Sequence, residues 1–178
     1  MYPIHSIIVS TALSALLLAG NASAASKAQV DDATAKLAAA ASPMKAVALE
    51  KLYVDRTWKW KDGGGFFSAD GKQFTAWSRK RAAWSYAEGR WYAINGGKLC
   101  LRARWSSKMD WSSKMERDGA VTCFLHREKD GVIYQKPSLG GKWYVFRHNP
   151  VREGDESLKL VKGDRVSKEV SRLKDIRR

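Results

Sequence analysis

Between Thr57 and His148 the chain is cut at short intervals by Asp-Gly, Asn-Gly and Gly-Gly pairs, and the pieces between the cuts are aromatic and β-branched. Such pairs supply the positive φ angles that tight hairpins need, and runs this short cannot build long helices. From Thr57 the apolar period is two, with Trp58 and Trp60 on one face and Lys59 and Lys61 on the other. Gly63-Gly64-Gly65 reads as a bend that breaks this strand. The strongest hairpin signal is Asp70-Gly71, flanked by Phe66-Phe67-Ser68-Ala69 and Gln73-Phe74-Thr75-Ala76-Trp77. Further strands are predicted over 83–86, 90–94, 98–104, 121–127, 132–136, 142–147 and 158–161, with turns at Asn95-Gly96, Asp118-Gly119, Asp130-Gly131 and Gly140-Gly141.

The pattern defines a mostly β chain of about nine or ten short strands joined by tight turns. A small antiparallel up-and-down β-barrel or strongly bent meander, lipocalin-like in outline, meets it best, with a two-sheet sandwich as the alternative. Ser42-Pro43 predicts the start of a short N-terminal helix, Ser as the cap and Pro in the first turn, with Met44, Ala48, Leu49, Leu52 and Tyr53 facing the sheet. At the other end Val166, Val170, Leu173 and Ile176 recur at helical spacing among alternating charges. A C-terminal helix or a frayed basic tail fits that stretch.

Residues 7–18 are an apolar run too short to span a bilayer comfortably, followed by small residues at Ala22-Ser23-Ala24. This predicts a cleavable signal peptide over 1–24 and export to the periplasm; no Lys or Arg precedes the run, and the alternative is an uncleaved membrane anchor. An Ala-rich lead-in follows over 25–42, then a single β domain with its N-terminal helix over 43–162, and the basic tail or helix over 163–178. After leader removal no second apolar segment remains for stable membrane insertion.

The formal charge is +14, from 32 Lys and Arg against 18 Asp and Glu. Arg79, Lys80, Arg81, Arg90, Lys98, Arg102 and Arg104 crowd the middle of the β region. Such a field draws polyanions with strong salt dependence. For an exported protein this implies an anionic envelope polymer or lipid headgroup as partner, and no nucleic acid. The two cysteines, Cys100 and Cys123, most economically pair with each other in an oxidising compartment. Their bridge would close a loop of about 24 residues and stabilise the fold by about 3 kcal/mol.

Catalytic groups are scarce. Beyond the leader the histidines are His126 and His148, and no metal-binding, nucleophile-elbow or phosphate-cradling pattern occurs, so no metal and no cofactor is expected. Asp62, Asp70, Asp118 and Asp130 each precede glycine and are explained by turn geometry. Alternation from Cys123 puts His126 on the face opposite the cysteine, toward solvent or a cavity. Aromatics are abundant instead, with eight Trp, six Tyr and five Phe. Trp58, Trp60, Trp77, Trp91 and Trp143 are expected in the core. Exposed Trp beside Arg suits acidic sugars, the ring stacking on the pyranose and the guanidinium holding the acid. The candidates for such a surface are Trp84, Trp105 and Trp111 with Arg79, Lys80, Arg81, Arg102 and Arg104, and His126 as a further binding candidate. Trp105 and Trp111 head a tandem duplication, Trp-Ser-Ser-Lys-Met, expected in a long hairpin or loop where its Trp and Met cover one end of the barrel.

Leu52-Tyr53, Thr57-Trp58-Lys59-Trp60, Asp62-Gly63-Gly64-Gly65-Phe66-Phe67, Lys98-Leu99-Cys100, Cys123-Phe124-Leu125-His126-Arg127 and Gly141-Lys142-Trp143-Tyr144-Val145-Phe146 together resemble the domain of unknown function 995 family. The resemblance spans about residues 49–147 and leaves the duplication outside it. It implies an exported proteobacterial protein with a cysteine pair, and carries over neither activity nor catalytic residue. The reading that follows is a non-catalytic periplasmic protein binding an anionic envelope component, an acidic polysaccharide foremost. The alternatives are a lipocalin-like carrier of a small apolar ligand and a small hydrolytic enzyme using His126 with a nearby acid.

Overall fold

The computed structural model describes residues 19–81, 83–109 and 115–175. Ten strands form one antiparallel sheet: β1 (Ser42–Pro43), β2 (Arg56–Trp60), β3 (Gly63–Phe67), β4 (Gln73–Lys80), β5 (Ala83–Ile94), β6 (Lys98–Met109), β7 (Met115–Lys129), β8 (Val132–Pro137), β9 (Tyr144–Arg147) and β10 (Leu160–Lys162). From β2 to β9 each strand pairs with its neighbour in sequence, and β10 returns to pair with β2. The sheet curls into a half-barrel. Its curvature is read directly from rings that meet across the interior: Trp58 of β2 lies 5.2 Å from Phe124 of β7 and 6.2 Å from Phe146 of β9, centroid to centroid. The bent meander is therefore the form adopted, and one sheet rather than a sandwich carries the fold.

The hairpin predicted at Asp70-Gly71 joins β3 to β4 through a single 3-10 turn with positive φ at Gly71 and Lys72. Three expectations are corrected. Gly63-Gly64-Gly65 is not a bend but the first part of β3, paired with Trp60, Lys59 and Trp58. The reason is space: a Cβ on Gly63 would stand 2.4 Å from the Trp60 indole nitrogen and 2.2 Å from the Trp77 carbonyl oxygen, and one on Gly65 would stand 2.7 Å from the Phe74 ring. The glycines leave room for rings. Asp118-Gly119 likewise lies inside β7 rather than in a turn, opposite Trp105 and Arg104. Ser42-Pro43 does not open a helix but pairs with Glu128 and Arg127 of β7 as β1. The N-terminal helix of the domain, α2 (Ala46–Tyr53), starts later, and its first amide is satisfied from across the chain by Asn95 Oδ1 at 2.9 Å.

Alternation sorts the strands' side chains onto two faces. The concave face carries Phe67, Phe74, Trp91, Leu99, Ile133 and Phe146, over which α2 lays Leu49 and Tyr53, all buried. On the convex face α3 (Ser167–Asp175), with Val166 leading into it, covers Trp84 and Tyr86 through Val170 and Leu173. The C-terminal stretch is thus a docked helix, started by Asp164 Oδ1, which accepts from the amides of Val166 (2.8 Å) and Ser167 (3.0 Å). Ile176 lies outside the described residues.

The Ala-rich lead-in is helical too, as α1 (Ala19–Ala39). Its far end is anchored to the sheet: Ala38 and Ala41 are buried against Tyr134, the Arg127 guanidinium donates to the carbonyls of Ala38 (3.1 Å) and Ala39 (2.9 Å), and two turns earlier Asp31 accepts from Lys142 Nζ at 2.7 Å. The expected cleavage bond after Ala24 falls inside α1, more than three turns from Ala38. No helix among the described residues is long and apolar enough to cross a membrane.

Cys100 and Cys123 face each other directly across β6 and β7 and form a disulfide, with Cα atoms 4.1 Å apart. It staples the hairpin that carries the duplication. The first copy, Trp105 to Met109, is in β6, and Trp111 lies outside the described residues.

Gly63→Ala should destabilise the fold by about 1–3 kcal/mol, because the added methyl meets backbone as well as the Trp60 ring. Urea denaturation of the purified variant measures this, and an unchanged midpoint would contradict the packing argument.

Candidate functional site

A cavity of about 430 Å³ opens inside the curl. Its walls come from alternate positions of β2, β4, β6 and β7, chiefly Trp58, Trp60, Phe74, Leu101, Trp105 and Phe124. Phe67, Ala103 and Ala120 continue the apolar lining, and the polar contributions are Ser78, Thr122, Tyr144 and Glu156. Glu156 arrives from outside the sheet strands, on a 3-10 turn (Glu156–Lys159) in the return loop between β9 and β10. Its Oε1 accepts from Trp58 Nε1 at 2.8 Å and its Oε2 from Lys159 Nζ at 2.7 Å.

That return loop is held by Asp155, which is 4 % exposed. Its carboxylate accepts from His148 N (2.8 Å), His148 Nδ1 (2.5 Å) and Arg152 N (3.0 Å). Burial alone would push this carboxyl upward, but the bonds from Arg152 and His148 outweigh it and hold it below its ordinary value.

Behind the cavity, under α2, lies a buried polar chain. Tyr144, which lines the cavity, donates its hydroxyl to Gln135 Oε1. Gln135 Nε2 donates to Tyr53 Oη at 2.8 Å, and Tyr53 donates to His126 Nε2 at 2.8 Å. The other ring nitrogen, Nδ1, is 3.4 Å from the Gly97 carbonyl oxygen, which assigns the proton there. Gln135 Nε2 also lies 2.5 Å from His126 Nε2. Burial lowers the His126 pKa to about 4 and raises that of Tyr53 well above its ordinary value. Tyr144 is raised by burial first and by the Glu156 charge second. His126 is fully buried on the concave side of β7, the face opposite Cys123, and does not line the cavity. Both ring nitrogens have a hydrogen-bond partner, and among the described residues no Asp or Glu is hydrogen-bonded into the chain, so it acts as a buried structural network.

The other predicted binding residues do not converge. Trp84 is 5 % exposed beneath α3, so its ring is closed to any sugar. Trp105 is half-buried in the cavity wall, whereas Arg102 and Arg104 are exposed on the opposite face of the same strand. Strand alternation alone separates them. Arg79 and Lys80 end β4 and Arg81 turns toward β5 with φ 56°, all exposed, and Arg79 lies near enough to α3 for its charge to lower the Glu169 pKa, after the Arg172 bond and against burial. Of the tryptophans expected in the core, Trp91 is buried, Trp77 packs under α3, and Trp143 lies under Arg127 and Lys136. Trp58 and Trp60 instead present themselves to the cavity. The sign of this was present in the strand pairing: Trp60 faces Gly63 and Trp58 faces Gly65 across the ladder. Glu156 had no comparable signal. Among the described residues no three His, Cys, Asp or Glu gather as metal ligands.

An open antiparallel half-barrel with an aromatic cavity, stapled by one disulfide and plugged by a helix, is the class that this geometry defines. The chain belongs to the family described as protein of unknown function (DUF995), whose profile matches residues 15–166. The match extends beyond the 49–147 stretch on which the resemblance rested, taking in α1, the return loop and the approach to α3. No curated protein and no solved structure matches the chain.

Because His126 binds its proton near pH 4 in the folded protein and near pH 6.5 when unfolded, the unfolded chain holds the extra proton between those values. Stability is therefore complete above about pH 6.5 and falls on acidification toward pH 4, by about 3 kcal/mol in total. Urea denaturation across this window should show that slope, and His126→Gln, though less stable, should lose it. The depressed Asp155 acts below this range, where its protonation removes further stability.

Proposed function

We propose that this protein is a non-catalytic carrier that takes a small apolar molecule into the curl of its sheet. The observation that supports it is the cavity itself. Its volume of about 430 Å³ falls in the range of small-molecule sites, and rings and aliphatic groups form most of the wall. Two features argue that the space is built rather than left over. Glycines at 63 and 65 hold the adjacent strand clear of Trp60 and Phe74, and the buried Tyr144–Gln135–Tyr53–His126 chain fixes the wall behind them. In this reading the leader delivers the protein to the periplasm, where the carrier operates.

A neutral naphthylamine dye should brighten on binding with a single saturable site. Ala103→Phe, which projects a ring into the cavity, should weaken that binding tenfold or more while circular dichroism stays unchanged. Equal binding by the variant would place the dye elsewhere and sink the carrier reading.

The anionic-polymer reading is carried by a separate observation, on the convex face. Arg90 and Arg102 are direct cross-strand partners, both exposed, and no acidic side chain pairs with either among the described residues. Like charges placed opposite one another repel. Arg104 is exposed next along β6, and its cross-strand neighbour Glu88 is engaged by Lys174 at 2.5 Å. Tyr92, 38 % exposed, lies on the same face two residues from Arg90 and supplies a ring. An acidic polysaccharide laid across this strip would relieve the repulsion. Binding of such a polymer should fall steeply with added salt and disappear in an Arg90→Ser, Arg102→Ser, Arg104→Ser triple variant. Salt-insensitive binding, or full binding by that variant, would exclude the strip.

A further inference from the structure

We propose that the molecule held in the cavity has an apolar body and a positively charged head, an amine or quaternary ammonium, that lies against Glu156. The inference rests on the carrier reading and adds the ligand's charge to it. Among the described residues that line the cavity, Glu156 is the one that carries a charge. Its carboxylate is fixed in direction, since Trp58 Nε1 holds Oε1 at 2.8 Å. The second oxygen is satisfied by Lys159 Nζ at 2.7 Å, three residues along the chain. The lysine side chain is 51 % exposed while that of Glu156 is 24 % exposed. An exposed pair of this kind contributes little and exchanges readily. A cationic head entering from the cavity side can take the place of Lys159 on Oε2, and the lysine returns to solvent.

The surrounding rings favour the same charge. Trp58 and Tyr144 share the cavity lining with the carboxylate, and the face of an indole or phenol attracts a cation through its quadrupole. Tyr144 offers no proton to an anionic head, because its hydroxyl already donates to Gln135. A carboxylate-headed ligand would meet Glu156 as a like charge, and to offset it would have to draw away Lys159, already engaged by Glu156, or rely on the neutral hydroxyls of Ser78 and Thr122. The chain as a whole is +14 and favours anions at long range. A preference for a cation inside the cavity would run against that field and must therefore arise locally.

The test uses three probes of one chain length, decanol, decyltrimethylammonium and decanoate, kept below micelle formation at fixed ionic strength, with tryptophan fluorescence as the readout. Trp58, Trp60 and Trp105 in the wall supply the part of the signal that responds, against a constant background from the other five tryptophans. The expected order is ammonium over alcohol over carboxylate, with about tenfold or more between the first and last, as for one charge pair near a protein surface. Glu156→Gln keeps an acceptor for the Trp58 indole and should erase the order, bringing the three probes to similar affinity. Lys159→Ala, which removes the competing ammonium, should tighten decyltrimethylammonium alone and remains informative if the glutamine variant folds poorly. Equal binding of all three probes, tightest binding of decanoate, or a cation preference that survives Glu156→Gln would overturn the proposal and leave the carrier reading standing. Failure of decanol and of both charged probes to bind would overturn the carrier reading and this inference with it.

Discussion

The fit of large rings against glycines on the neighbouring strand is the constraint on which the rest of this structure depends. Trp60 faces Gly63 and Trp58 faces Gly65, and any side chain at these glycines would drive into Trp60, Phe74 or the backbone of β4. Removing Cβ atoms from one strand lets the rings of the next two fold inward, and a sheet with bulk on one face and little opposing it curls. Curling brings Trp58 to Phe124 and Phe146. Because the same rings both drive the curl and line the space it encloses, the cavity and the curvature have one cause.

A half-barrel filled only with rings would be adaptable in packing, and the buried polar chain counters that. Tyr144, Gln135, Tyr53 and His126 come from β9, β8, α2 and β7, so a single run of hydrogen bonds fixes three strands and the plugging helix relative to one another. Every member has a partner, which is what makes a buried network stabilising rather than costly. The cost appears elsewhere, as acid sensitivity, because His126 must remain neutral for the chain to stay directional.

Local chemistry made much of the fold legible in the sequence. Asp70-Gly71 specifies its turn through its own backbone needs, and Val166, Val170 and Leu173 declare the docked face of α3 by spacing. The cysteine pairing followed from there being two. What failed needed register. A glycine run can mark a bend or a strand that accommodates rings, and only the opposing residues distinguish the two. Trp105 was grouped with Arg102 and Arg104 for proximity in sequence, although odd and even positions of one strand face opposite ways. Trp84 carries nothing in its neighbourhood to reveal that a helix over eighty residues later will cover it. Glu156 is invisible for the same reason: it reaches the cavity by a loop whose path depends on Asp155 finding His148 and Arg152.

That loop leaves the molecule with an uneven mechanical character. Around the curl, each strand from β2 to β9 is tied to the next by backbone hydrogen bonds, and β10 is tied to β2, but no ladder joins β9 to β10 among the described residues. The return loop bridges this seam with side-chain links, His148 to Asp155 and Trp58 to Glu156. Every other line around the curl is closed by a row of backbone bonds, whereas this one is closed by side-chain contacts, including the packing of Trp58 on Phe146. Glu156 sits on this seam, so a guest that engages its carboxylate would touch the shell along a line that no backbone ladder closes among the described residues.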